Sequence, residues 1–205
     1  METELILVRH GETEWNKSLR FQGQQDIGLN EVGLEQADKV SNFLARWEID
    51  RVYSSDLKRA YSTAIKIAEP HGFEVKKSPG LREMNFGSWE GLSYKDIRAR
   101  YPDIVEKWFD DPTSTHPPGG EWVKEFQKRI VKTVEGILAE SKGKRIVIVT
   151  HGGPIRVYLA NLLGMPVRLY WRLEVDNCSV SIVKFYENNP VLKLLNSTGH
   201  LCDHF

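Results

Sequence analysis

The chain has 205 residues, of which 28 are Lys or Arg and 28 are Asp or Glu, so its formal net charge is zero. This balance argues against a nucleic-acid or membrane-surface binder, because either would need a general basic excess. The two cysteines argue against a disulfide framework, and no apolar run is long enough for a membrane span or a signal peptide, which predicts a soluble cytoplasmic protein.

The first part of the chain alternates short apolar runs with helical patterns. Residues 4–9 and 51–55 are predicted strands. The helix predicted between them has Asn30 as its N-cap. Its apolar positions recur at helical spacing and are Leu34, Ala37, Val40, Leu44 and Trp47. A second helix is predicted over about 57–69, with Asp56 at its beginning.

The second part contains a long irregular stretch and then strong regular elements. Residues 83–120 favour only short helical pieces, so we interpret them as an insertion or lid within one domain spanning 1–205. A long helix with Phe126, Ile130, Val134 and Ile137 on one face should follow. Residues 145–150 are β-branched and uninterrupted, which predicts a strand, and a hairpin is predicted around 187–190.

This order of elements predicts an α/β fold. Strands that alternate with helices favour a three-layer αβα arrangement, in which a mostly parallel sheet is covered on both faces. The hairpin near the end of the chain indicates an antiparallel edge strand.

Two of the predicted strands end in the same way, on a histidine followed by a glycine. His10 follows Arg9 at the end of the first strand, and His151 follows residues 145–150. Ligands of open α/β sheets bind beyond the carboxyl ends of the strands, and the helix that begins after His151 offers free N–H groups to an anion. A neutral imidazole can attack an electrophile, so two histidines beside an arginine predict a phosphate site.

Arg59 is a third candidate for the same site. It lies in the first turn of the second predicted helix, directly after the strand at 51–55. A lone arginine on a helix usually faces solvent, and a lone His-Gly pair is more often a turn than a catalytic group. Because both His-Gly pairs follow strong strands, we favour the interpretation that His10, His151 and Arg59 form one phosphate site.

Four segments resemble the histidine phosphatase superfamily, which includes cofactor-dependent phosphoglycerate mutases. The segments are LVRHGETEWN, SSDLKRA, LREMNFGSWEG and VTHGG, in the family's order, and the resemblance spans roughly residues 4–196. It implies a phosphoglycerate mutase-like fold and a small phosphomonoester as substrate. It also implies a phosphohistidine intermediate on His10 that forms without a metal or another cofactor.

The resemblance assigns roles residue by residue. The implied catalytic group is His10 as nucleophile, with Arg9, Arg59, His151 and Glu83. Glu83 would protonate the leaving alkoxide and then take a proton from the water that hydrolyses the phosphohistidine. The implied substrate-binding positions are Arg9, Asn16, Gln22, Gly23, Arg59 and Gly152.

The superfamily contains phosphatases and mutases, and this chain departs from the mutase pattern. Mutases carry a tyrosine three residues after the catalytic glutamate and a lysine eight residues later, where this chain has Phe86 and Tyr94. The stretch from Glu83 to His151 is also shorter than in the mutases, which shield the phosphoenzyme from water. Hydrolysis is therefore predicted, with a phosphoglycerate mutase and a non-catalytic phospholigand-binding module as the alternatives.

Further segments resemble one branch of the family. PPGGEW, HGGPIR and YWRLEVDNCSVSIVKF are similar to α-ribazole phosphatases of cobalamin biosynthesis and to broad-specificity phosphatases, although Trp122 replaces the usual serine. Trp89, Trp108 and Phe109 are either core residues or the wall for a bulky leaving group. The sequence leaves the physiological substrate and the oligomeric state open, with a homodimer as one outcome.

The end of the chain, GHLCDHF, contains His200, Cys202 and His204. Alternating donors on a terminal segment are weak evidence for a metal, because a structural site needs more firm ligands than these supply. We therefore interpret the segment as an ordinary tail and predict no metal site.

Overall fold

The computed structural model describes residues 2–187 and 189–202. The strands are β1 (Thr3–Arg9), β2 (Arg51–Ser54), β3 (Lys76–Lys77), β4 (Arg145–Thr150), β5 (Val180–Tyr186) and β6 (Asn189–Ser197). The helices are α1 (Glu14–Lys17), α2 (Glu31–Leu44), α3 (Lys58–Ala68), α4 (Tyr94–Arg100), α5 (Pro102–Asp110), α6 (Val123–Ala139) and α7 (Gly152–Leu162). Short 3₁₀ turns connect several of them.

The strands form one sheet in the order β3-β2-β4-β1-β5-β6. The pairs β3–β2, β2–β4 and β4–β1 are parallel, whereas β5 runs antiparallel to β1 and β6 antiparallel to β5. This topology confirms the predicted α/β class, with a mostly parallel sheet and an antiparallel edge. It also places β1 and β4 side by side, so the two His-Gly pairs follow neighbouring strand ends.

Apolar side chains cover both faces of the sheet. Leu5 and Leu7 of β1 belong to a core that includes the buried faces of α6 and α7. Ile6 and Val8 belong to a second core with side chains of α2 and α3. Because successive side chains of a strand point to opposite faces, a continuous apolar strand contributes to both layers. The two cores fix β1 on both sides and therefore fix the strand end that precedes His10.

Two details of the predicted helices are wrong, and one is confirmed. Asn30 caps α2, accepting a hydrogen bond from the Gly33 amide at 2.8 Å. Leu34 is 46% exposed and Trp47 lies beyond the end of α2, so neither is part of its buried stripe. Asp56 does not cap α3, because both of its carboxylate oxygens instead accept hydrogen bonds from Arg82.

The stretch 83–120 contains α4, α5 and a loop, and several of its apolar side chains are buried in the same core as α6 and α7. Trp89 and Trp108 are fully buried, with ring centroids 5.4 Å apart. Ser93 forms a capping box with Asp96 at the start of α4. The interpretation of this stretch as an insertion or lid of a single domain stays a prediction.

The C-terminal segment packs against α2 as far as the structure describes it. The ring of His200 is stacked on Phe43 at 5.0 Å, and its Nε2 lies 3.0 Å from the carbonyl oxygen of Cys178. His204 lies outside the described residues. Within the described ranges, no three His, Cys, Asp or Glu side chains are grouped to hold a metal, and no helix is long and apolar enough to cross a membrane.

Candidate active site

The two histidines predicted to share a site do lie together. The ends of β1 and β4 are paired in register, with Arg9 opposite Thr150, and His10 and His151 follow directly. Their ring centroids are 5.1 Å apart in an edge-to-face arrangement, and both side chains are buried. The neighbouring parallel strands therefore bring together two imidazoles that are 141 positions apart in the sequence.

His10 is held as a neutral ring with one free nitrogen. Its Nδ1 lies 2.7 Å from the carbonyl oxygen of Gly11, which can only accept, so the proton is on Nδ1 and Nε2 carries a lone pair. Burial, followed by the charges of Arg59 and Arg9, holds the pKa of His10 well below its usual value. An imidazole in this state is a nucleophile at neutral pH.

His151 is held in the opposite tautomer. Its Nδ1 accepts a hydrogen bond from Nε of Arg59 at 3.1 Å, so its proton lies on Nε2, which donates to Oγ of Ser55 at 2.9 Å. Burial and then the Arg59 charge hold its pKa well below the usual value. Both ring nitrogens are thus paired within the protein, and the ring lies behind His10 rather than on the cavity wall.

Two guanidiniums accompany the histidines, that of Arg59 fully buried and that of Arg9 partly buried. Arg59 donates to the carbonyl oxygens of Gly23 and Gln25, at 2.8 and 2.7 Å. Arg9 donates to Val175 at 2.7 Å, and its buried Nε has no hydrogen-bond partner among the described residues. Burial lowers the pKa of each arginine to about 10, so both remain charged at neutral pH. Such desolvated cations favour an anion beside them.

Asn16 is oriented by its helix cap. Its Oδ1 accepts from the backbone amide of Thr13 at 3.1 Å, and also from Asn177 at 3.4 Å. Since the Thr13 amide can only donate, the carbonyl end of the Asn16 side chain faces it, and the NH₂ end remains a donor. Asn16 therefore adds a neutral donor to the two guanidiniums.

Glu83 lies on the wall of the cavity that holds these groups. One of its carboxylate oxygens accepts from the Met84 amide at 2.8 Å, and the other accepts from the Gly153 amide at 3.1 Å. The carboxylate is thereby fixed against the first turn of α7, beside the strand end that carries His151. It is placed for proton transfer to or from a group bound next to His10.

The cavity has a volume of about 320 Å³ and brings together eight of the predicted site residues. These are Arg9, His10, Asn16, Gln22, Gly23, Arg59, Glu83 and Gly152. The remaining one, His151, does not line the cavity, and it contacts His10 and Arg59, which do. One cavity thus contains an imidazole, several donors that can bind an anion, and a carboxylate.

The structure adds residues that sequence reasoning missed. Arg156 lies on the wall, donates to the carbonyl oxygen of Leu173 at 2.8 Å, and has its guanidinium carbon 5.0 Å from the Trp171 ring. Its position four residues after Gly152 was the available signal, because residues four apart share a helix face. The aromatic lining consists of Trp15, Phe21, Phe86, Phe126, Tyr170 and Trp171.

The three aromatic residues proposed from the sequence as a wall do not line this cavity. Trp89 and Trp108 are fully buried, which confirms the core interpretation for both. Phe109 is 49% exposed and packs edge-to-face on Tyr94 at 5.1 Å. The aromatic side chains that do line the cavity come from five separate segments of the chain, so they could not be predicted from neighbouring positions in the sequence.

Comparisons with known proteins show the family of this chain. The family model of the histidine phosphatase superfamily (branch 1) matches residues 5–198. Phosphoserine phosphatase 1 of Hydrogenobacter thermophilus is 35% identical over 202 residues, which cover 98% of this chain and 96% of that protein. The metal-independent phosphoserine phosphatase of Arabidopsis thaliana is 36% identical over 206 residues, covering 97% and 83% of the two chains.

A solved structure shares the whole fold. An Escherichia coli protein whose description proposes an α-ribazole-5′-P phosphatase superposes with a TM-score of 0.88 at 30% identity, covering 95% of this chain and 96% of its own. The sheet order, the two strand ends and the surrounding helices therefore belong to a fold that these relatives share.

Proposed function

This chain belongs to the histidine phosphatase superfamily and is a phosphatase, and we propose that it hydrolyses a small organic phosphomonoester through a phosphohistidine on His10. The observation that carries the proposal is the neutral His10 ring, whose Nε2 carries a lone pair, in one cavity with the guanidiniums of the buried Arg59 and the partly buried Arg9. A nucleophile and two fixed cations are the parts that phosphoryl transfer requires.

The first step transfers the phosphoryl group to the protein. The Nε2 lone pair of His10 attacks phosphorus, and the bond from phosphorus to the leaving oxygen breaks. Glu83, in its protonated form, gives its proton to that oxygen, so an alcohol leaves rather than an alkoxide. Arg9 and Arg59 donate to the phosphoryl oxygens, where negative charge is spread in the transition state.

The second step returns the protein to its starting state. The Glu83 carboxylate takes a proton from a water molecule as that water attacks the phosphorus. The bond from phosphorus to Nε2 breaks, its electron pair returns to His10, and inorganic phosphate leaves. The two arginines supply the positive charge throughout, so the proposal includes no metal and no cofactor.

The cavity wall supports an organic leaving group with a flat or apolar part. Six aromatic side chains line it, and such a wall suits α-ribazole 5′-phosphate or a range of phosphomonoesters. Phosphoserine is a second candidate, because two relatives carry that name and Arg156 on the wall can pair with a carboxylate. We infer broad specificity that includes both kinds of substrate.

A phosphoglycerate mutase is the less favoured function. Phe86, at the mutase tyrosine position, lines the cavity with an apolar ring. Tyr94, at the mutase lysine position, is 45% exposed and packs on Phe109. Neither position supplies the charge that would hold a substrate carboxylate for return of the phosphoryl group.

A substrate panel tests the proposal. The panel is p-nitrophenyl phosphate, α-ribazole 5′-phosphate, phosphoserine and 3-phosphoglycerate, each assayed for released phosphate with EDTA present. We expect release from the first three, and His10→Ala should lose both turnover and acid-labile phosphoenzyme. Loss of activity in EDTA, or labelling that persists in His10→Ala, would contradict the mechanism. Isomerisation of 3-phosphoglycerate without phosphate release would show a mutase.

A further inference from the structure

One arginine outside the cavity donates all of its N–H groups, three of them to the segment that carries Glu83 and two to Glu121. Arg129 lies on α6, and its side chain is 24% exposed. A guanidinium has five N–H groups, and all five donate here at 2.8 to 3.2 Å. Two go to the carboxylate of Glu121, and three go to the main-chain carbonyls of Gly80, Arg82 and Glu83.

Glu121 holds the main chain on the other side of Glu83 by hydrogen bonds. One of its carboxylate oxygens accepts from the Asn85 amide at 3.2 Å, and its own amide donates to the Asn85 carbonyl at 2.8 Å. The main chain is therefore held at Arg82 and Glu83 by Arg129, and at Asn85 by Glu121. The backbone on both sides of the proposed acid is tied to α6 and to the loop that precedes it.

The side chain of Glu83 is fixed separately from its main chain. Its carboxylate is bound by the amides of Met84 and Gly153, the latter at the beginning of α7. Its position relative to His10 thus depends on two anchors: α7 for the carboxylate and α6, through Arg129, for the main chain. A shift of the second anchor would move the proton donor without touching the groups that bind phosphate.

We propose that Arg129, together with Glu121, is a positioning residue that sets the location of the Glu83 carboxylate for proton transfer to the leaving group. This inference rests on the acid role of Glu83 proposed above. Lysine cannot replace the arginine, because its single nitrogen has three donors and cannot reach one carboxylate and three carbonyls in a plane. The geometry therefore requires the planar, five-donor group.

The positioning role of Arg129 can be tested by comparing the rate of His10 phosphorylation between substrates that have different leaving groups. A p-nitrophenolate leaves without protonation, whereas an alkoxide needs the proton of Glu83. In Arg129→Lys we expect the single-turnover rate with glycerol 2-phosphate to fall about tenfold or more, because small displacements of a catalytic group are costly. The rate with p-nitrophenyl phosphate and the affinity for both substrates should stay within about twofold.

A double variant separates positioning from fold stability. If Arg129 acts through Glu83, Arg129→Lys should add no further loss in a Glu83→Gln background. Arg98→Lys is the matched control, since Arg98 forms an exposed ion pair with Glu106, and it should leave all rates unchanged. Equal losses for both substrates, or losses that multiply with Glu83→Gln, would overturn the inference and leave Arg129 a role in stability alone.

Two further outcomes are distinguishable. If Glu83→Gln itself affects both substrates equally, the acid role in the proposed function fails, and the inference fails with it. If Glu83→Gln is selective and Arg129→Lys is not, only the inference fails. If Arg129→Lys does not fold, Glu121→Gln is compared with the same two substrates. This change weakens the ion pair between Arg129 and Glu121 and keeps the three hydrogen bonds from Arg129 to main-chain carbonyls.

Discussion

Each buried histidine is held in one neutral tautomer by a partner that can only accept or only donate a hydrogen bond. The Gly11 carbonyl can only accept, and Nε of Arg59 can only donate, so the proton positions on His10 and His151 are fixed by chemistry. The nucleophilic nitrogen of His10 is therefore deprotonated without a neighbouring general base. A serine nucleophile, in contrast, needs a base to remove its proton at the moment of attack.

The same two rings predict a dependence of stability on pH. His10 and His151 have pKa values well below 6.5 in the folded chain, because burial and the nearby arginines disfavour the charged ring. In the unfolded chain both would titrate near 6.5, so the unfolded state binds more protons below that pH. The free energy of unfolding should fall by about 1 kcal/mol for each ring between pH 6.5 and 5.5.

Urea unfolding at a series of pH values checks this prediction. His10→Asn removes one of the two rings and should reduce the slope between pH 6.5 and 5.5 by about 1 kcal/mol per pH unit. Since stabilising contributions of this kind are fully present above the unfolded pKa, no change is expected between pH 7.5 and 8.5. A wild-type stability that is flat from pH 7 to 5.5 would show that the rings are not held neutral.

At the scale of elements, α2 positions the loop that follows the nucleophile. The first turn of α2 meets this loop closely: the Asn30 amide donates to the Glu12 carbonyl at 3.0 Å, and Gln36 accepts from the Glu12 amide at 2.9 Å. Gly33 permits the approach, because a Cβ there would lie 2.0 Å from the Glu12 carbonyl oxygen. The helix thus supports His10 from outside the cavity.

Gly33→Ala should therefore weaken both the fold and the reaction. The added methyl meets main-chain atoms that cannot move aside cheaply, so we expect a loss of about 1–3 kcal/mol in unfolding free energy and slower phosphorylation of His10. Gly136→Ala is the matched control, because Gly136 is also helical but faces open space. Its higher helix propensity should raise stability by about 0.5–1 kcal/mol. Denaturant unfolding measures the stability of both variants, and burst kinetics measure their rate of His10 phosphorylation. If Gly33→Ala were stabilised as Gly136→Ala is, the packing argument would be wrong.

The elements and the residues at their ends were predictable from local signals. An uninterrupted β-branched run predicts β4, and a strand that stops on His-Gly predicts a site at His10 and His151. The beginning of α3 at Lys58 agrees with the predicted range of about 57–69, but the absence of a cap from Asp56 was not predictable, because Arg82, from a distant segment, binds that carboxylate. Local capping rules describe only what a side chain can do, and a tertiary partner decides what it does.

The residues of the site that were missed depend on side-chain direction. The cavity wall draws aromatic rings from segments far apart in the sequence, and only the packed fold decides which rings face inward. Arg129 was hidden for another reason, since three of its five acceptors are main-chain carbonyls, which have the same chemistry at every position. Motif resemblance identified Arg9, His10, Arg59 and Glu83, which line the cavity, and it did not identify Arg129, which binds the main chain at Glu83.

At the scale of the whole molecule, a neutral chain concentrates positive charge in one cavity. The net charge is zero, yet within the described residues the buried Arg59 and the partly buried Arg9 have no ion-pair partner. Carboxylates elsewhere pair with other cations, as Asp56 does with Arg82. Burial of these two guanidiniums opposes folding, because removing a charge from water is costly unless an anion compensates. Folding and anion binding should therefore be coupled.

Inorganic phosphate should stabilise the folded chain through this coupling. The folded state binds the anion and the unfolded state does not, so a phosphate concentration of 100 times Kd should add about 2.7 kcal/mol to the unfolding free energy and raise Tm. Arg59→Met should respond little, because it removes the fully buried one of the two cations. Arg98→Lys, at an exposed ion pair, should respond like the wild type. Thermal unfolding in phosphate and in chloride of equal ionic strength measures the difference, and equal Tm values in the two salts would contradict a phosphate site at these arginines.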